Sequence, residues 1–244
     1  MSILSTLKVD LLIKIACCVS FKTTINMSKI AVLGTGNVGE TIGTKLIGLG
    51  HTIAMGSRTL NNEKALAFTK KHNGKASAGT FADAAAYGKI IFNCTKGLAS
   101  IEALKMAGEN NLKNKIIIDI ANPLDFSKGM PPSLTISNTN SLGEEIQKTF
   151  PESNVVKALN TMWCGLMVNP GQLNKGDHTT FICGNDATAK AEVKEILVSF
   201  GWSENNIIDL GDITSARATE MYLALWVRVM GAINTGTFNI KIVS

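Results

Sequence analysis

The chain has 244 residues, enough for one large domain or a domain with an appendage, and its 45% apolar and 18% charged residues can bury a core and exclude a disordered chain. Lys and Arg number 24 against 19 Asp and Glu, a net charge of +5, and the basic residues are scattered, with Lys70-Lys71 the one adjacent pair. With aromatics at 6%, this mild basicity speaks against a nucleic-acid binder and suits an anionic small molecule.

Residues 1–26 read as an extension or a mis-assigned start, because Met27-Ser28-Lys29 runs directly into the first strand of a domain. The apolar run Val9 to Phe21 is interrupted by Asp10 and Lys14 and is too short to span a bilayer, so neither export nor a membrane is expected. Cysteines at 17, 18, 94, 164 and 183, odd in number and without a C-x-x-C, point away from a disulfide framework and a zinc site and towards a reducing cytoplasm.

From Lys29 the pattern repeats: β-branched run, glycine turn, apolar helical stripe, next strand. Such alternation predicts a mostly parallel sheet covered by helices on both faces. Lys29 to Leu33 is the first strand. Val38, Ile42, Leu46 and Leu49 then fall at helical spacing, and Gly50 sits where that helix ends. Thr52 to Met55 is the second strand, Asn62 to His72 the next helix, and Ala76 to Ala78 a weak strand. Thr80 with Asp83 forms a capping box before a short alanine-rich helix. Strands follow at Lys89 to Cys94 and Lys115 to Ile120, then an irregular loop over 124–140, a helix capped by Ser141 with Glu144, and strand Val155 to Leu159.

Beyond Asn160 the units are smaller. Thr179 to Cys183 is a strand, and Asp186 caps a helix with stripe Ala189, Val193, Ile196, Leu197 and Phe200, ended by Gly201. Ile207 to Leu210 precedes a long helix from Ser215 to Ile233. Ala218, Tyr222, Leu225 and Val229 line one of its faces and Leu223, Trp226 and Met230 an adjacent one. A helix apolar over most of its girth is buried in the core or in a subunit contact, and a homodimer is one of those two readings.

Gly34-Thr35-Gly36-Asn37-Val38-Gly39 is a G-x-G-x-x-G between a strand and a helix. Gly34 serves the tight turn, Gly36 lets backbone approach a pyrophosphate, and Gly39 lets helix pack on strand. That placement predicts a dinucleotide. Its identity is read at the end of the second strand, where an NAD site would place Asp or Glu and this chain has Gly56-Ser57-Arg58-Thr59. A guanidinium and a hydroxyl suit an extra phosphate, so NADP(H) is the expected cofactor. Lys64 reads as a surface lysine. Strand carboxyl ends further nominate Cys94, Thr95, Lys96, Ala121, Asn122, Pro123, Asn160 and Thr161 as cleft residues, with Cys94 a structural thiol.

No catalytic residue is identified. His51, His72 and His178 fall away from strand carboxyl ends, and no nucleophile elbow or metal motif appears. Hydride transfer between two rings needs alignment and water exclusion more than a proton shuttle, which fits that absence.

The glycine loop, Gly56-Ser57-Arg58, Val156 to Thr161, Gly211-Asp212 to Arg217, and Gly236 to Lys241 together resemble the NADPH-dependent deazaflavin reductase family over nearly all of Met27 to Val243. The chain is also similar to the cytoplasmic oxidoreductase domain of membrane ferric reductases, which passes hydride from NADPH to a flavin. The resemblance implies a doubly wound Rossmann sheet over residues 27–159 and a small carboxyl-terminal lobe over 160–244. It further implies an acceptor ring stacked on the nicotinamide between them, near Asn160, Thr161 and Met162. The expected function is hydride transfer between NADPH and a flavin- or deazaflavin-like small-molecule acceptor. Two other readings stay open: an NADP(H) sensor whose Met162 and Trp163 block the acceptor pocket, and a dehydrogenase of a small carbonyl or imine with Lys96 or His178 as proton donor.

Overall fold

β-branched runs only a few residues long bury both faces when helices cover a parallel sheet on each side. The computed structural model describes residues 27–243, and the reading of residues 1–26 as an extension lies outside them. The first half runs β1 (Lys29–Leu33), α1 (Asn37–Gly48), β2 (Thr52–Ser57), α2 (Glu63–Lys71), β3 (Ala76–Thr80), α3 (Phe81–Tyr87) and β4 (Ile90–Asn93). Then come α4 (Gly97–Ala107), α5 (Glu109–Leu112), β5 (Ile116–Asp119), a hairpin of β6 (Leu124–Asp125) and β7 (Ser133–Leu134), α6 (Leu142–Thr149) and β8 (Asn154–Ala158). The remainder comprises α7 (Cys164–Val168), β9 (Thr180–Gly184), α8 (Ala187–Phe200), β10 (Ile207–Asp209) and α9 (Ala216–Ile233).

Eight strands form one sheet in the order β10-β9-β8-β5-β4-β1-β2-β3. All neighbours are parallel except β8 and β9, so the fold is a mostly parallel Rossmann-type sheet. Alternating side chains feed two cores. Ile30, Val32, Phe92 and Val156 pack on one face, and Ala31, Leu33, Ile91 and Ile117 on the other. The chain order reverses between β1 and β4, and in open sheets that reversal opens a crevice at the strand carboxyl ends.

Local signals place most boundaries. Asn62, Thr80, Ser141 and Asp186 each accept a backbone N–H as helix N-caps, and Gly201 ends α8 at φ 109°. Three features differ from the sequence reading. Residues 124–140 contain the β6–β7 hairpin, registered by Leu124 opposite Leu134. Residues 98–114, given no element above, carry α4 and α5. The inner face of α9 is Ala216, Thr219, Glu220, Leu223 and Val227, whereas Ala218 and Leu225 of the expected apolar stripe face outward, Leu225 at 58% exposure. The buried carboxylate of Glu220 sets that orientation, since it needs partners found only inside.

Candidate functional site

Gly34 has φ 115°, and a Cβ there would lie 2.6 Å from the Cys94 carbonyl oxygen, so β1 and β4 approach at a spacing only glycine permits. A Cβ on Gly39 would lie 2.0 Å from the Gly34 carbonyl oxygen, which ties α1 against the loop. Gly36 differs from both. Its φ is −81° and nothing stands within 4 Å of a Cβ, so the protein's own packing does not require glycine there. The open space lies before the first turn of α1, where no side chain caps the leading N–H groups. A free helix N-terminus facing open space fits a pyrophosphate.

At the end of β2, Ser57 is buried and its hydroxyl donates to the Thr59 carbonyl at 2.6 Å. Arg58 is exposed and makes no ion pair among the described residues. Lys64 is exposed, as expected of a surface lysine, and lines a small cleft of about 280 Å³ with Thr35, Asn37, Glu40 and Lys71. Lys71 is paired with Glu40 at 3.0 Å, which leaves Lys64 and Arg58 as the unpaired cations beside the glycine loop.

A cavity of about 730 Å³ opens at the carboxyl ends of β4, β5 and β8. Of the residues nominated from sequence, Asn37, Val38, Cys94, Thr95, Lys96, Ala121, Asn122 and Asn160 line it, whereas Gly34, Thr35, Gly36, Gly39, Ser57 and Arg58 do not. Pro123 and Thr161 are buried outside its wall. Asn122 and Asn160 clamp each other across the strands: Asn122 Nδ2 donates to the Asn160 carbonyl at 2.8 Å, and Asn160 Nδ2 donates to Asn122 Oδ1 at 2.9 Å. The opposite wall holds Met162 and Trp163, which the sequence reading placed at the acceptor pocket, and residues it did not name there: Met167 on α7, Leu223 and Trp226 on α9, and Phe126 beside the hairpin. The i, i+3 spacing of Leu223 and Trp226 gives one helix face, but only packing tells which side it turns to.

Beneath the cavity floor runs a buried polar chain. Thr95 donates to Asn93 at 2.7 Å, and Asn93 donates to Asp119 at 2.7 Å. Lys157 Nζ reaches Asp119 and Glu220 at 2.7 Å each and the Ala121 carbonyl at 2.5 Å. Glu220 in turn accepts the Leu142 and Gly143 N–H groups at 2.8 and 3.0 Å, at the start of α6. Burial alone would lower the lysine, but Asp119, Glu220 and their hydrogen bonds outweigh it and hold the Lys157 ammonium above its ordinary range. For Cys94, burial and then the Asp119 charge push the thiol well above its ordinary value, so it is a poor nucleophile.

None of the histidines lines the cavity. His51 Nδ1 accepts from the Ser28 N–H, and His72 pairs with Thr44. His178 Nδ1 accepts from Asn239, which leaves Nε2–H to donate to the Pro170 carbonyl at 3.0 Å. His178 is therefore outside the cleft that the dehydrogenase reading required of it, and Lys96 is inside.

The family model described as NADP oxidoreductase, coenzyme F420-dependent, matches residues 29–123, from β1 to the cavity wall. The chain is 51% identical to a protein from Arthrobacter sp. FB24 provisionally described as an F420-dependent NADP reductase. That crystal structure superposes with a TM-score of 0.83 over 89% of this chain and 100% of that one. It is 26% identical over 205 residues to the metalloreductase STEAP3 of Rattus norvegicus, covering 79% of this chain and 36% of the relative, so it spans little more than a third of that protein. A reductive aminase from Aspergillus terreus, solved with NADPH and ethyl levulinate, is similar in fold at 18% identity and a TM-score of 0.60, over 86% of this chain and 63% of that one. No helix among the described residues is long and apolar enough to cross a membrane.

Proposed function

Because the chain belongs to the family of coenzyme F420-dependent NADP oxidoreductases, we propose that it moves hydride between NADPH and a flavin- or deazaflavin-like ring held in the 730 Å³ cavity. The observation that carries this reading is the open space before the uncapped α1, with Arg58 unpaired just past β2 and no carboxylate in Gly56 to Thr59. In this reading the N–H groups of Asn37, Val38 and Gly39 hold the pyrophosphate. Arg58, with Lys64, holds the additional phosphate, while the Ser57 hydroxyl, donating to the Thr59 carbonyl, shapes the turn that carries Arg58. Thr95, Lys96, Ala121 and the Asn122–Asn160 clamp border the nicotinamide, which supplies the hydride when NADPH is bound.

The protein's own part is to orient two rings and exclude water. Apolar side chains of α7 and α9 cover the far wall, and residues 160–244 thereby act as the acceptor lobe. A ring-to-ring hydride transfer asks for no histidine, and none lines the cavity. The sensor reading needs a blocked pocket, but the indole of Trp163 folds back over Gly165, where a Cβ would lie 2.2 Å from the ring. That leaves volume beside it for an acceptor. We also read the outward face of α9 as a homodimer contact and the protein as cytoplasmic. NADPH oxidation measured with flavin, deazaflavin and quinone acceptors tests the function. Turnover with at least one is expected, and tight NADPH binding with none would favour the sensor.

A further inference from the structure

We propose that Asn93 and Ser100, which do not line the cavity, are positioning residues that fix its floor for the nicotinamide end of the cofactor. The proposal rests on the hydride-transfer reading above and deepens it, because it names the buried groups that hold the redox end of the site in place. Its first support is the strand pairing. Asn93 closes β4 and Asp119 closes β5; they stand directly opposite each other, fully buried, in runs that are otherwise isoleucine and phenylalanine. Apolar side chains there would fill the core without burying polar groups.

The second support is where the hydrogen bonds of this cluster go. Lys157 donates to Asp119 Oδ2 at 2.7 Å, and Asp119 Oδ1 accepts from Asn93 Nδ2 at 2.7 Å and from the Ala121 N–H at 3.2 Å. With its Nδ2 turned to a carboxylate, the Asn93 amide presents Oδ1 to Thr95, whose hydroxyl and N–H donate to it at 2.7 and 3.3 Å. Ser100, fully buried in the first turn of α4, accepts from Asn93 Nδ2 at 3.1 Å, meets the Thr95 hydroxyl at 2.8 Å and donates to the Lys96 carbonyl at 3.3 Å. The Ala121 carbonyl accepts from Lys157 at 2.5 Å. Buried side chains outside the cavity wall thus grip the main chain of Thr95, Lys96 and Ala121, which border the nicotinamide in the reading above. The third support is contact between the gripped segments. A Cβ on Gly97 would lie 2.0 Å from the Asn122 carbonyl oxygen, so neither segment shifts without the other. Hydride transfer needs its reacting atoms about 3–3.5 Å apart, so a small displacement of this floor matters.

The test is calorimetric titration with NADP+ and with adenosine bisphosphate, the half of NADP+ that lacks the nicotinamide. Wild type should bind NADP+ the more tightly. Ser100→Ala should weaken NADP+ by about three- to tenfold and leave the bisphosphate unchanged, which also shows that the variant is folded. Asn93→Asp, which sets a second carboxylate beside Asp119, should act in the same direction and further. The fluorescence anisotropy of bound NADPH, read without any acceptor, should fall in both variants as the reduced ring rotates more freely. Ser153→Ala is the control: that hydroxyl is also buried, donates to the Leu112 carbonyl away from the cavity wall, and its loss should move neither nucleotide. If Ser100→Ala weakens both nucleotides alike or neither, if Ser153→Ala matches it, or if wild type binds the two equally, the proposal alone is overturned. Failure of wild type to bind NADP+ would overturn the hydride-transfer reading and this proposal with it.

Discussion

Gly36 and Gly39 stand three residues apart, at the cap and in the first turn of α1, and answer to different demands. Alanine at Gly39 would set its Cβ 2.0 Å from a backbone carbonyl, so α1 must shift and stability must fall. Alanine at Gly36 meets nothing, and the cap position itself is worth about 1 kcal/mol at most. We therefore expect Gly39→Ala to lower the thermal midpoint clearly, and Gly36→Ala to keep it nearly unchanged while NADPH affinity drops by tenfold or more. Parallel thermal unfolding and calorimetry separate the two, and equal thermal losses would remove the cofactor argument for Gly36. Arg58→Ala should weaken NADPH by about 1.5–3 kcal/mol, the scale of one charge-assisted hydrogen bond, and leave NADH nearly unaffected. Dissociation constants for both nucleotides check this, and equal losses would exclude the phosphate clamp. The glycine spacing and the Ser57-Arg58 pair were legible in the chain because each depends on neighbours within a few residues. Lys64 was not, since its place beside Thr35 depends on how α2 packs against α1.

At the scale of elements, the strands and helix caps follow from composition, but the buried charges inside the strands do not. Asp119 and Lys157 lie in runs that read as apolar, and they meet because β5 and β8 pair in a register that sets them directly opposite each other. Glu220 joins them from α9 and also holds the start of α6, so four elements meet at one buried cluster. Lys157→Met would strand two buried carboxylates, at a cost of about 3–5 kcal/mol. Because the folded lysine is held above the ordinary value of 10.5, its stabilisation is complete below that pH and is lost as pH rises through the folded value. Urea unfolding from neutral to strongly alkaline pH should show wild type losing stability at the alkaline end. Lys157→Met should start lower and lack that component. A variant as stable as wild type at neutral pH would show that the cluster is not an anchor.

For the molecule as a whole, the outward stripe of α9, with Leu225 at 58% and Met221 at 38% exposure, is the surface the homodimer reading requires. Sedimentation equilibrium should give a dimer that Leu225→Arg dissociates, and a wild-type monomer would exclude it. The chain by itself determined that a glycine turn leads from the first strand into a helix, that an arginine follows the next strand, and where most helices start and stop. These are properties of φ, spacing and caps, all settled over a handful of residues. Only the tertiary structure decided which face of α9 turns inward and that Leu223 and Trp226, some sixty residues along the chain from Asn160 and Met162, enclose one cavity with them. Those relations depend on strand order and on where a buried carboxylate finds its partners, and sequence periodicity carries no record of either.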